Sequence, residues 1–132
     1  ISTDGKAVVR RSTDYIPTMI QIAGGRYIFK NLDDKDGKTS IPMTIEKFYD
    51  VAADADYIVY NGSIDHSVRN MKELLEKDPI MKKFKAVKTG NCWRTGASMY
   101  QRTDIVGDMI IDFNKLLTEK NPKNLKFISK LE

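Results

Sequence analysis

The sequence predicts an α/β fold, a three-layer sandwich with a mainly parallel central sheet and helices on both faces. Two patterns predict it. Short β-prone runs, "KAVVR", "DYIVY" and "NCWR", are separated by stretches whose apolar residues recur at helical spacing. Each stretch is bounded by cap or turn chemistry, so the elements alternate β-α-loop-α-β-α-β-α, the order of a βα-layered domain. A chain of 132 residues fits one domain, residues 1–132.

The elements follow in order. "STDG" is turn chemistry ahead of "KAVVR", and the first residues read as a hairpin, with Ile1 the tail of an earlier strand. Ile16, Met19, Ile20 and Ala23 then form a helical stripe. Thr13 or Asp14 can cap it, Pro17 is tolerated in its first turn, and Gly24-Gly25 stops it. "RYIF" reads as a short extended piece and "KNLDDKDGKTS" as a solvated loop. An EF-hand alignment on Gly37 fails, because it puts Leu32 and Met43 at ligand positions.

A second helix starts at Thr44 and carries Ile45, Phe48, Tyr49 and Ala52 on one face. The run "DYIVYNG" has the character of a strand buried on both faces. "DHSVRNMKELLEKD" predicts a third helix capped by Asp65 and lined by Val68, Met71, Leu74 and Leu75. "PIMKKF" adds one turn, and a strand lies around Cys92-Trp93. A last helix spans about Asp104 to Leu117, with Val106, Met109, Ile110, Phe113 and Leu117 inward. Leu125, Phe127, Ile128 and Leu131 of the tail can dock back.

Composition excludes several classes. The net charge of +4 comes from 22 basic and 18 acidic residues interspersed along the chain, not from the concentrated stripe of a nucleic-acid binder. A single Cys leaves no intramolecular disulfide and no multi-cysteine metal site. No run approaches the ~20 apolar residues of a membrane span. The phosphate-cradling and nucleophile-elbow motifs are absent. His66, the one histidine, stands beside a helix start, and Cys92 has no second histidine to activate it, so no catalytic constellation and no resident metal or cofactor is expected.

What remains is a set of polar and aromatic groups at strand ends. In open α/β sheets, ligands bind at the carboxyl ends of strands. The first end offers Arg10, Arg11, Ser12 and Tyr15. The second offers Tyr60, Asn61 and Ser63. The third offers Trp93 and Arg94 and, after a glycine turn, Tyr100 and Arg102. If the strands are parallel, these groups share one rim. Guanidinium forks suit carboxylates, and aromatic faces suit ring systems, so the rim suits a bulky, anionic, partly aromatic ligand. The competing reading is that the arginines are solvated and Trp93 is core.

The blocks "DYIPTMIQIAGGRYIF", "TIEKFYDVAADADYIVYNGS", "MKELLEKDPIMKKFKAVKTGNCWRTG" and "DIVGDMIIDFNKLL" occur in the order seen in the carboxyl-terminal lobe of ABC-importer substrate-binding proteins. The chain resembles the group that binds ferric siderophores, haem and cobalamin, which has two α/β lobes joined by one long helix. The resemblance covers essentially the whole chain. The amino-terminal lobe and the connecting helix are missing from it, so the chain reads as one lobe of a larger, monomeric protein.

The resemblance implies an extracytoplasmic location, periplasmic or lipid-anchored, and a ferric siderophore or haem as transported ligand. It also implies a membrane permease with its ATPase as partner, and no nucleic acid. It places Trp93, Arg94 and Tyr100 at the interlobe cleft and gives Glu46, in "MTIEKF", the role of docking onto the permease. The alternatives are an enzymatic or regulatory domain on a Rossmann-like or receiver-like sheet, or a basic interaction module. A receiver would need an acidic cluster at the strand ends, where this chain has Arg, Tyr and Trp.

Overall fold

The structure, a computed structural model, describes residues 4–30, 38, 40–96 and 106–132. Among these residues it is a mixed α/β protein with two small sheets and five α-helices. The elements are β1 (Ala7–Arg10), α1 (Tyr15–Ile22), β2 (Ser40–Met43), α2 (Ile45–Ala52), β3 (Ile58–Tyr60) and α3 (Met71–Lys77). A 3₁₀ segment (Pro79–Lys83) follows, then α4 (Lys85–Lys88), β4 (Cys92–Thr95), α5 (Val106–Thr118) and β5 (Ile128–Lys130).

The sheets differ from the mainly parallel one expected. β1 pairs antiparallel with β2, and the second sheet, ordered β3-β4-β5, has one parallel and one antiparallel pairing. Alternation of apolar patterns reports element type, whereas pairing is decided by non-local contacts. The tail after α5 returns beside β4 in the opposite direction, with Thr95 facing Ile128. β2 begins at Ser40, the last residue of the expected polar loop, and continues through Ile41–Met43, to which the sequence reading gives no element. Its Pro42, opposite Val8, lacks the N–H that a central strand must donate, and it lies in a two-stranded ribbon where that loss is tolerated.

Local chemistry sets the helix starts. Thr44 Oγ1 accepts from the Lys47 N–H at 3.2 Å and caps α2, as the sequence implies. α1 begins after Asp14, whose side chain makes no cap hydrogen bond, and Gly24 beyond its end takes a positive φ of 99°. The third helix is shorter than expected. It starts at Met71 behind Asn70, whose Oδ1 accepts from Glu73 N–H at 2.9 Å. Asp65 instead closes a local turn, its Oδ1 accepting from Ser67 N–H at 2.9 Å, a competitor to helical hydrogen bonding.

The three-stranded sheet divides the core. Successive side chains on a strand point to opposite faces. Ile58, Tyr60, Cys92 and Leu131 join a cluster with Ala52, Leu74, Met81, Phe84 and Ala86. Val59, Trp93 and Ile128 join another with Ile16 and Met19 of α1 and Met109, Phe113 and Leu116 of α5. Phe84, fully buried, is met by Phe48 at 5.4 Å and edge-on by Tyr49 at 5.3 Å between ring centroids.

Two polar side chains, Thr95 and Asp112, are buried among the described residues. Asp112 on α5 is 2% exposed, and its Oδ2 accepts from the Lys126 N–H at 2.9 Å and the Phe127 N–H at 2.7 Å. It pins the segment entering β5. Asp112→Ala strands two amides and is expected to cost about 2–4 kcal/mol, because unsatisfied buried donors carry their full desolvation penalty. Asp112→Asn keeps an acceptor and should cost markedly less. Urea unfolding of both variants checks this; equal, near-zero losses would contradict it.

Candidate ligand-binding site

Two of the three strand ends come together. β3 and β4 run parallel with Tyr60 opposite Arg94, so their carboxyl ends lie side by side. The Gly62 N–H donates to Thr95 Oγ1 at 3.1 Å, tying the chain after β3 to the last residue of β4, which is 1% exposed. Beyond that tie the backbone turns: Asn61 Oδ1 accepts from the Ser63 N–H at 3.2 Å and the Ser63 hydroxyl at 2.5 Å.

Tyr60 is half-buried and held. Its hydroxyl donates to Asp65 Oδ2 at 2.6 Å, and the same oxygen is 3.1 Å from Lys77 Nζ on α3. Burial, then the hydrogen bond and charge of Asp65, raise the phenol above its ordinary ionisation range. Burial opposes the charge on Asp65, but hydrogen bonds from Ser67, Tyr60 and Lys77 outweigh it and hold the carboxyl well below the usual range. The site therefore presents a neutral phenol beside an ionised carboxylate. Arg94 is partly exposed on the same sheet face as Tyr60, its Nε donating to Ser129 Oγ at 3.2 Å.

Trp93 belongs elsewhere. Adjacent strand residues face opposite ways, so the Trp93-Arg94 pair does not form one wall. The indole is 5% exposed within the cluster of α1 and α5, with Lys130 Nζ 6.0 Å from its ring centroid. Its Nε1 is buried without a hydrogen-bond partner among the described residues.

The β1 end lies in the two-stranded ribbon, outside the β3-β4-β5 sheet. Arg10 is 3.5 Å from Asp14, and its carbonyl accepts from the Tyr27 hydroxyl at 2.6 Å. Arg11 is partly buried, with Nε lacking a hydrogen-bond partner among the described residues, and Tyr15 packs against the cluster containing Trp93. Tyr100 and Arg102 lie outside the described residues. Glu46 stands in the first turn of α2, exposed, where the helix's free N–H groups favour a carboxylate.

Other chemistry is sparse. Cys92 is buried, and burial pushes its thiol up to about 11, which disfavours the thiolate a nucleophile needs. His66 is exposed. Among the described residues no group of three or more His, Cys, Asp or Glu could hold a metal ion. None of their helices is long and apolar enough to cross a membrane. A cleft of about 430 Å³ opens at the amino ends of β3 and β4, lined by Tyr57, Asn91, Trp93 and Lys130, and another of about 420 Å³ lies beside α1 near Arg26 and Tyr27. Neither is lined by Tyr60 or Arg94.

In the sequence Asp65 reads as a helix cap, and no motif singles out Lys77, Thr95 or Ser129. A carboxylate five residues beyond a strand-terminal tyrosine was the available signal for Asp65. Comparison of the chain with protein families, curated proteins and solved structures gave no match.

Proposed function

We propose that the chain is the carboxyl-terminal lobe of an extracytoplasmic solute-binding protein of an ABC importer. In this reading it binds an iron chelate, ferric siderophore or haem, and delivers it to a membrane permease. The finer architecture belongs to the same reading: a three-layer lobe with a mainly parallel central sheet and helices on both faces, and a second lobe closing the cleft. The observation that carries it is the in-register parallel pair β3–β4, whose adjacent carboxyl ends bear Tyr60, Asn61 and Arg94. Such ends are where α/β sheets receive ligands. The order of sequence blocks and the exposed Glu46 add support. Arg94 is the anion-binding group and Tyr60 the aromatic one. Trp93 supports the sheet from behind.

The test uses the natural protein containing this chain, with a ferric trihydroxamate, a ferric tricatecholate and haemin as probes. Arg94→Ala should weaken the probe that binds by about tenfold or more, the loss of a charge-assisted hydrogen bond. Glu46→Arg should leave that affinity within about twofold, yet slow uptake into vesicles carrying the permease by at least about tenfold, because it sets positive charge against the partner's arginine. No binding of any probe, or normal uptake by Glu46→Arg, would remove the corresponding part of the reading.

A further inference from the structure

The proposed ligand-binding reading leaves open what Tyr60 offers a ligand. A tyrosine hydroxyl has one proton to give and lone pairs that accept. Here the proton is committed: it points to Asp65 Oδ2 across 2.6 Å. That carboxylate is itself fixed from two other directions, by Lys77 Nζ at 3.1 Å on α3 and by the Ser67 N–H at 2.9 Å in the loop. Asp65 and Lys77 are each 30% exposed at the side chain, so this is a sheltered triad. Lys77 is charge-matched to Asp65 and reaches it from the far end of its helix.

Resting on that reading, we propose that Asp65 is the positioning residue of the site: it holds the Tyr60 hydroxyl as a committed donor, so that the phenol oxygen meets the ligand only as an acceptor. The ligand chemistry follows. Arg94, on the same sheet face, takes an anionic oxygen. The group that meets Tyr60 is then a hydrogen-bond donor, an amide N–H, an ammonium or a hydroxyl. A ligand with a donor close to an anionic oxygen fits, and one presenting only acceptors along that edge is rejected, since two acceptors would face each other. The depressed carboxyl of Asp65 and the raised phenol of Tyr60 agree with a shared proton that stays on the phenol.

Two measurements decide this. The first needs only the chain, with tyrosines labelled at ¹³Cζ and Tyr60 assigned by loss of its signal in Tyr60→Phe. The Tyr60 resonance should hold steady while ordinary carboxylates titrate around pH 3.9. It should move in Asp65→Ala and return most of the way in Asp65→Asn, which keeps an acceptor, with the other tyrosines unmoved. A Tyr60 signal identical in wild type and Asp65→Ala would overturn the proposal.

The second measurement uses the natural protein and whichever of the three probes binds. Asp65→Ala should weaken binding about fivefold to tenfold, the scale of one hydrogen bond. In the Tyr60→Phe background the same change should have no further effect, because Asp65 acts through Tyr60. Additive losses would overturn it. Absence of binding by every probe would instead overturn the chelate reading, while the resonance of Tyr60 still decides whether Asp65 positions it.

Discussion

Trp93→Ala is expected to destabilise the protein by about 3–5 kcal/mol, the range for deleting a buried large aromatic. The indole is 5% exposed and packs with Ile16, Met19, Met109, Phe113 and Leu116. These come from two helices and cannot collapse into the vacated space without moving α1 and α5 together. Domains of this size have only about 5–15 kcal/mol to lose. Trp93→Phe keeps most of the packing, and because the indole Nε1 has no partner among the described residues its removal strands nothing, so that variant should cost much less. Urea unfolding followed by circular dichroism measures both. As the chain's one tryptophan, Trp93 should also emit at the short wavelengths of an apolar setting. Water-like emission, or a loss below about 1 kcal/mol for Trp93→Ala, would show that the indole is not core.

The same residue shows what the sequence could and could not tell. Local pattern found the strand at Cys92-Trp93, the helix starting at Thr44 and the extra turn after Asp78, because each rests on neighbours a few residues apart, while the docking of the tail was legible from its apolar Leu125, Phe127, Ile128 and Leu131. Grouping Trp93 with Arg94 as one wall followed their nearness in sequence, yet the two-residue period of a strand separates adjacent side chains onto opposite faces. β2 and β5 escaped because "SIPM" and "ISK" lack the β-prone run that marks "AVVR" and "IVY", so their partners define them, and Ser40–Met43 finds its partner at Ala7–Arg10. α4, four residues long, carries too little periodicity to read. The third helix is shorter than the sequence suggests because Asp65 and Asn70 are both good caps. The choice between them is made by Tyr60 and Lys77, which engage Asp65 in the turn. Of the candidate site, Tyr60, Asn61 and Arg94 were legible as strand ends. The hydrogen-bonded neighbours of Tyr60 and Arg94, Asp65 and Ser129, and the Thr95 hydroxyl that holds Gly62, depend on the fold.

Gly62→Ala is the other change with a large expected effect, and it links that fold to the site. The need for glycine here is space: a Cβ at Gly62 would overlap the Thr95 carbonyl oxygen. Side-chain adjustment cannot relieve the overlap, because the obstacle is backbone at the end of β4, a strand paired on both sides. The loop would have to lift, and lifting it breaks the buried hydrogen bond from Gly62 N–H to Thr95 Oγ1. Overpacking of about 1–3 kcal/mol together with a lost buried hydrogen bond gives an expected cost of about 2–4 kcal/mol. Gly90→Ala is the contrast. Gly90 has a positive φ of 74° but open space around its Cβ position, so only the left-handed backbone penalty of about 1–2 kcal/mol applies. Thr95→Val removes the hydroxyl acceptor but leaves the carbonyl oxygen, so it should not rescue Gly62→Ala. Because Asn61 and Tyr60 immediately precede Gly62, the lifted loop should also shift the Tyr60 ¹³Cζ resonance, whereas Gly90→Ala should leave it in place. Chemical unfolding of the three single variants and the Gly62→Ala, Thr95→Val pair tests the energetics. A Gly62→Ala protein within about 0.5 kcal/mol of wild type, or one restored by Thr95→Val, would mean that the β3 and β4 ends do not meet backbone to backbone.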